Sequence, residues 1–171
     1  MSYKKHYHIK HLDNYKLIEF NKNENDILKK IKKYGYRNCK KDISRNWIKM
    51  SLENCDKGFV YFNTEIIETK NENNEIIKTN KYRPCAYLCL IENKKNFIHL
   101  SLVCSLYTEE HLGTKLINEA IKYSLNNGYK YITLDSISEK TTKYYLKKGF
   151  EIKEKSIEKI GNITYMIKKL K

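Results

Sequence analysis

Apolar positions recur along this chain with two different periods, and the switches between them predict its elements. Tyr15 to Phe20, Gly58 to Ile67, Cys85 to Ile91, Phe97 to Val103 and Tyr129 to Leu134 are short apolar or alternating runs, the pattern of strands. Between them the period lengthens to that of a helix. Ile27, Leu28, Ile31 and Tyr34 share one face of a helix that Asn25 or Asp26 can cap and Gly35 ends, with Lys29, Lys30, Lys32 and Lys33 on the other face. Ser44 opens a second helix carrying Trp47, Ile48 and Leu52; Trp47 serves there as core or as a wall of a binding site. Leu112, Leu116, Ile117, Ala120, Ile121 and Leu125 mark a third helix, stopped by Asn127-Gly128, residues that tolerate the left-handed conformation. A fourth, short helix ends at Gly149-Phe150. Glu151 to Ile157 and Ile163 to Leu170 read as final strands around Gly161-Asn162.

The connections follow from loop lengths. Asn93 to Asn96 is a polar turn between two apolar runs, which makes an antiparallel hairpin. Asn71 to Asn74 is another turn, with Glu75 to Asn80 as a returning strand; the polar segment 69–83 is a specificity loop or a plain insertion. Phe97 to Leu134 runs strand, loop, helix, strand, so these two strands should be parallel with a right-handed crossover.

Composition narrows the function classes. The formal net charge is +14, yet there are only three arginines, Arg37, Arg45 and Arg83. Readers of nucleic-acid base edges rely on arginine, and the excess of Lys and Asn has the skew of an AT-rich coding sequence, so the charge is read as solvated surface and a nucleic-acid partner is not expected. No apolar run reaches membrane length, and the polar start Met1-Ser2-Tyr3-Lys4-Lys5-His6 is no signal peptide; an intracellular, cytoplasmic protein without a membrane partner is expected. The five cysteines lack any Cys-x-x-Cys spacing and predict reduced, mostly buried thiols. His6, His8 and His11 have no Cys or carboxylate cluster beside them, so no metal is expected.

Against this background, Gly113-Thr114-Lys115-Leu116 opening the third helix and Tyr145-Leu146-Lys147-Lys148-Gly149-Phe150 closing the fourth, at their mutual spacing, resemble the GCN5-related N-acetyltransferase (GNAT) family. The resemblance covers roughly residues 97 to 152. It implies one α/β domain over 1–171, with a mixed, V-splayed central sheet flanked by helices, opened where strands 97–103 and 129–134 part. It also implies acetyl-CoA as co-substrate and transfer of the acetyl group to an unidentified amine by direct attack. In the family the loop before the third helix reads Gln/Arg-x-x-Gly-x-Gly/Ala and holds a pyrophosphate. Here Thr108 takes the Gln/Arg position, His111 the first Gly and Gly113 the last, and the loop also carries Glu109 and Glu110.

The resemblance therefore places Thr108, Glu109, Glu110, His111, Leu112, Gly113 and Thr114 around the pyrophosphate. A helix N-terminus suits that role, with its free N–H groups and positive dipole end. The backbone of Leu102 and Val103 would pair with the pantetheine arm, and Ser138 stands where many relatives have an Asn against the cofactor. Tyr145 matches the family's acid, which protonates the leaving thiolate. The family often places a Glu base on the strand before the loop; this strand has none, but carries His99, on one face with Phe97, Ser101 and Val103 if alternation is regular. Asp135 is a second candidate base or a turn residue.

The expected partner is an amine-bearing small molecule or protein, with the chain as a monomer or a homodimer. Two other readings stand beside it. The loop residues Glu109, Glu110 and His111, with no carboxylate base, suit a GNAT-fold binding module without catalysis. The charge alone suits a basic nucleic-acid-binding domain.

Overall fold

The computed structural model describes residues 9–11, 15–34, 39, 43–70, 73, 75–93, 96–106, 111–158 and 161–171. Its elements run β1 (Ile9–His11), β2 (Lys16–Phe20), α1 (Asn25–Tyr34), α2 (Arg45–Glu53), β3 (Lys57–Lys70), β4 (Ile76–Glu92), β5 (Phe97–Ser105), α3 (Leu112–Asn126), β6 (Tyr131–Ser136), α4 (Glu139–Lys147), β7 (Glu151–Glu158) and β8 (Gly161–Lys169). The strands form one sheet in the order β1-β3-β4-β5-β6-β8-β7, with β2 also paired to β3. Every pairing is antiparallel except β5 with β6, which is parallel, as the crossover through α3 requires.

The helices cover both faces. Leu112, Leu116, Ile117 and Ala120 of α3 and Tyr145 of α4 pack with Leu88, Leu90, Ile98, Leu100, Ile132 and Leu134 on one face. Leu28 and Ile31 of α1 and Ile48 and Leu52 of α2 pack with Val60, Phe62, Tyr87, Leu102 and Cys104 on the other. Alternation along β4 serves both layers, since Leu88 and Leu90 point one way and Tyr87 and Cys89 the other. At the join of β2 and β3, the Phe20 ring lies on Gly58. A Cβ there would stand 2.3 Å from Phe20 Cζ, so the pairing of these residues requires a glycine.

Two irregularities shape the centre of the sheet. The first is a β-bulge in β5: Cys89 pairs Leu102 and Leu90 pairs Leu100, so Ser101 is an extra residue. Ile98 and Leu100 therefore belong to the α3 layer, whereas Leu102 and Cys104 belong to the α1–α2 layer. The second is the early end of the β5–β6 ladder. The two strands pair only from Phe97 to Leu100 and from Tyr131 to Leu134. Beyond that, β5 continues to Ser105 along β4, and β6 continues to Ser136 along β8. The V expected from the resemblance is this parting.

Several expectations need correction. The strands placed at 75–80 and 85–91 are one strand, β4, which runs through Pro84. Its pairing with β5 begins only at Ala86, so the missing N–H of Pro84 breaks no bond on that side. β6 runs two residues further than expected, to Ser136, and β8 begins at Gly161. Asn25 lies inside α1 rather than capping it, since Leu28 N already bonds Glu24 O. In α3, Leu125 is exposed, and Ser124 takes the buried position, its hydroxyl donating to Ala120 O at 2.6 Å. The cysteines also depart from uniform free thiols. Cys39 and Cys104 are joined as a disulfide, while Cys55, Cys85 and Cys89 are free and buried. The loop after α1 brings Cys39 into the α1–α2 layer beside Cys104 and Tyr87, a proximity that 65 residues of separation hide in the sequence. Gly35 lies outside the described residues.

Candidate active site

Beyond the parting of β5 and β6, no strand among the described residues pairs with the edge of β5 that β6 leaves. Leu102 and Val103 pair through β4 on one side, with Cys89 and Leu88, while their other edge faces the gap. The start of α3 stands at the mouth of this gap. His111 is its N-cap, exposed and in the left-handed region at φ 51°, with no side-chain bond capping the helix. The first turns of any helix leave N–H groups without partners in the helix, and no acidic residue sits in the first turn of α3. A Cβ built on Gly113 would meet Ser105 Cβ at 3.8 Å, an ordinary contact. The protein's own packing therefore does not demand glycine there, and the small residue leaves the backbone open to an approaching group. Leu112 is fully buried and offers only its backbone. Thr114 Oγ1 is bonded to Tyr144 Oη at 2.9 Å, which ties the start of α3 to α4. Thr108, Glu109 and Glu110 lie outside the described residues.

On the α2 side of the sheet, a cavity of about 360 Å³ opens between α2 and the strands. From α2 and its cap come Ser44, Asn46, Trp47, Met50, Ser51 and Asn54; the strands add Ile91, His99 and Ser101. Ser44 caps α2, accepting from Trp47 N, and this fixes the first turn that carries Trp47. The bulge turns the carbonyl of Ser101 towards the helix, where it accepts Trp47 Nε1 at 3.0 Å and Ser51 Oγ at 3.4 Å. His99 sits opposite Thr133 in the parallel register. Its Nδ1 lies 3.1 Å from Thr133 Oγ1, and its Nε2 lies 3.9 Å from Asp135 Oδ2. Nδ1 is thus the ring nitrogen held by Thr133, and Nε2 is the one that faces Asp135. Burial lowers the His99 pKa, and Asp135 pulls in the opposite direction without cancelling it. The imidazole is thus neutral at neutral pH, with a carboxylate near the nitrogen that would take a proton.

Asp135 is therefore a strand residue beside His99, not a turn residue, because β6 continues past Leu134. The expected face of β5 is also corrected. His99 and Ser101 line the cavity together, but Val103 packs in the α3 layer, because the bulge inverts the alternation between them.

Tyr145 lies on the opposite face of the sheet, buried in the α3–α4 layer. Its ring meets Tyr144 and Phe150 edge-on, with centroids 5.3 and 5.6 Å away. Burial holds its phenol well above the ordinary range, so the hydroxyl keeps its proton at any physiological pH. The spacing Tyr-x-x-x-Gly-Phe has a local cause. Gly149 N bonds Leu146 O and Phe150 N bonds Tyr145 O, with Gly149 at φ 79°. This is a Schellman ending, whose accompanying apolar contact is the Tyr145–Phe150 pair. The motif thus positions the Tyr145 ring; it does not by itself assign the hydroxyl a role. Ser138 is the N-cap of α4, its hydroxyl accepting from Thr141 N in a reciprocal capping box.

Neither a protein-family model nor a curated protein matches the chain by sequence. Solved structures match its fold over most of its length. The ribosomal-protein-S18-alanine N-acetyltransferase from Escherichia coli aligns with a TM-score of 0.62 at 13% identity, over 91% of this chain and 94% of that one. A protein from Desulfovibrio desulfuricans assigned as an acetyltransferase of the GNAT family aligns with a TM-score of 0.63 at 8% identity, over 91% of this chain and 100% of that one. An aminoglycoside 6'-N-acetyltransferase complexed with coenzyme A aligns with a TM-score of 0.60 at 11% identity, over 91% of this chain and 97% of that one.

The chain has the GNAT fold. Within that fold β5 and β6 part after Leu100 and Leu134, Leu102 and Val103 lie on β5 beyond the parting, and Thr114 at the start of α3 is bonded to Tyr144 of α4. Thr133 and the Ser101 carbonyl carried no site assignment from the sequence, and Asp135 carried only that of a second candidate base or a turn residue. Thr133 and Asp135 alternate with Ile132 and Leu134 and so share the face of His99, a signal present in the pattern. The Ser101 carbonyl had none, because nothing about a serine in an apolar strand marks a bulge. Among the described residues no group of His, Cys, Asp and Glu could hold a metal, and no helix is long and apolar enough to cross a membrane. His6 and His8 lie outside the described residues.

Proposed function

We propose that this chain is an acetyl-CoA-dependent N-acetyltransferase that transfers the acetyl group directly to an amine. One observation carries the reading: the edge of β5 at Leu102 and Val103 is open beside a helix N-terminus, with a neutral imidazole on one face of the sheet and a protonated phenol on the other.

The residues fit the co-substrate. The open β5 edge can pair with the amides of an extended arm. Backbone N–H groups at Leu112, Gly113 and Thr114, with no acidic side chain in that turn, suit a pyrophosphate. Bound acetyl-CoA supplies an acetyl group activated by its thioester. The chain's own residues then have separable tasks. The cavity under α2 holds the amine against Trp47. His99 Nε2 accepts a proton from it, and Asp135 stabilises the imidazolium formed. Thr133 holds the ring in place through Nδ1. Tyr145 keeps a proton on Oη and is the candidate donor to the departing sulfur.

The test is calorimetry with acetyl-CoA, using free CoA and ATP as controls, followed by detection of acetylated amine by mass spectrometry. Selective binding and product formation support the reading. No binding at millimolar acetyl-CoA sinks it.

A further inference from the structure

We infer that the acceptor is a primary monoamine on a flat apolar body, an arylalkylamine, rather than a polycation. The inference rests on the N-acetyltransferase reading and concerns the cavity between α2 and β5.

The walls define the ligand. At about 360 Å³ the cavity is at the small end of ligand pockets, which run roughly 300–1,000 Å³. Trp47 presents an indole whose orientation is fixed by its bond to Ser101 O. Met50 lies at the exposed mouth, and Ile91 adds a second apolar wall. An aromatic ring gains from an indole face and from a thioether at its edge. The remaining described lining is neutral and hydrogen-bonding: Ser44, Asn46, Ser51 and Asn54. His99 is the proton acceptor of this lining, with the Asp135 carboxylate 3.9 Å from its Nε2.

A polyamine or aminosugar brings several ammonium groups, each needing a carboxylate or a shell of water. The described lining offers none of the former, and the chain as a whole carries +14. An arylalkylamine needs only one nitrogen deprotonated, at His99. The step balances: the nitrogen bonds the acetyl carbon as the carbon–sulfur bond breaks, one amine proton passes to His99, and one proton ends on sulfur.

Trp47 is the chain's single tryptophan, so its emission reports this cavity directly. The probes are 2-phenylethylamine, spermidine, an aminoglycoside and a short peptide with a free N-terminus. Phenylethylamine should quench or shift the emission saturably, with spermidine inert. With acetyl-CoA, its kcat/KM should exceed that of the other three by at least about tenfold. Met50→Glu, at an exposed position, should cut the ratio to spermidine by about tenfold or more. Preference for spermidine, the aminoglycoside or the peptide overturns the inference and leaves the acetyltransferase reading intact. Saturable phenylethylamine binding without any acetyl-CoA binding instead overturns the acetyltransferase reading, and this inference with it.

Discussion

Replacing Trp47 with Phe tests the contact that holds α2 to the bulge. Ser101 O accepts two bonds, 3.0 Å from Trp47 Nε1 and 3.4 Å from Ser51 Oγ. The second is beyond the usual range for O–H···O, so most of the interaction belongs to Trp47. Phe keeps an aromatic wall and deletes the donor. A carbonyl orphaned in a dry core costs up to about 3 kcal/mol, and one that regains water costs nearer 1 kcal/mol. Here the second case applies, because the cavity of about 360 Å³ is far larger than the roughly 30 Å³ share of one water. Loss of the larger ring adds up to about 1 kcal/mol. The expected destabilisation is therefore about 1–2 kcal/mol, read as a lower urea midpoint at unchanged slope. Far-UV circular dichroism is the probe, since the variant has no tryptophan. Ser51→Ala should cost at most about 0.5 kcal/mol, and the double variant should be non-additive because both donors share one acceptor. In kinetics the KM for the amine should rise, with acetyl-CoA affinity unchanged. If Ser51→Ala proves costlier than Trp47→Phe, the assignment of the bulge contact to Trp47 is wrong.

Other outcomes follow from the same geometry. Tyr145→Phe keeps the packed ring and should lower kcat by about a hundredfold while acetyl-CoA affinity changes little, because general-acid help is worth roughly 10²–10⁴; unchanged turnover would remove the acid role. His99 has a lowered pKa in the folded chain, so below its ordinary value of 6.5 the unfolded chain binds more protons there and stability falls on acidification. His99→Gln should flatten the drop in urea midpoint just below pH 6.5, and a curve parallel to the parent would contradict the buried placement. Cys39→Ser opens a closed loop of 65 residues and should destabilise the oxidised protein by up to about 4 kcal/mol, with no effect once both proteins are reduced. An equal midpoint for parent and variant without reductant would mean the bond contributes nothing.

Much of this was legible in the sequence, and the misses have physical causes. The crossover through α3 was readable because Leu112 to Ala120 keep helical spacing between two apolar strands, and parallel strands cannot be joined by a tight turn. The ends of α3 and α4 were readable because Gly128 and Gly149 occupy left-handed positions. Asp135 was assigned too little because the strand was ended two residues early, at Leu134, which removed it from the face of His99. Ser124 was passed over because a polar residue can be buried if it bonds its own helix, as it does at Ala120 O. The Cys39–Cys104 bond depends on how a loop folds across a sheet, and no local pattern encodes that. Pro84 suggested a strand start, yet β4 runs through it, paired with Phe62 of β3 and just before the β4–β5 ladder that begins at Ala86.

The bulge at Ser101 makes β5 two half-strands set out of phase by one residue. Before it, even-numbered side chains serve one layer of the core; after it, even-numbered side chains serve the other. What the register needs at this position is the count, since the interaction with α2 uses the backbone carbonyl and the side chain adds one long bond, Ser101 Oγ to Cys89 O at 3.3 Å. The strand should therefore tolerate many residues at 101 and no deletion. Removing one residue would leave a chain of nearly the same composition in which either His99 or the pair Leu102 and Cys104 must face the wrong layer.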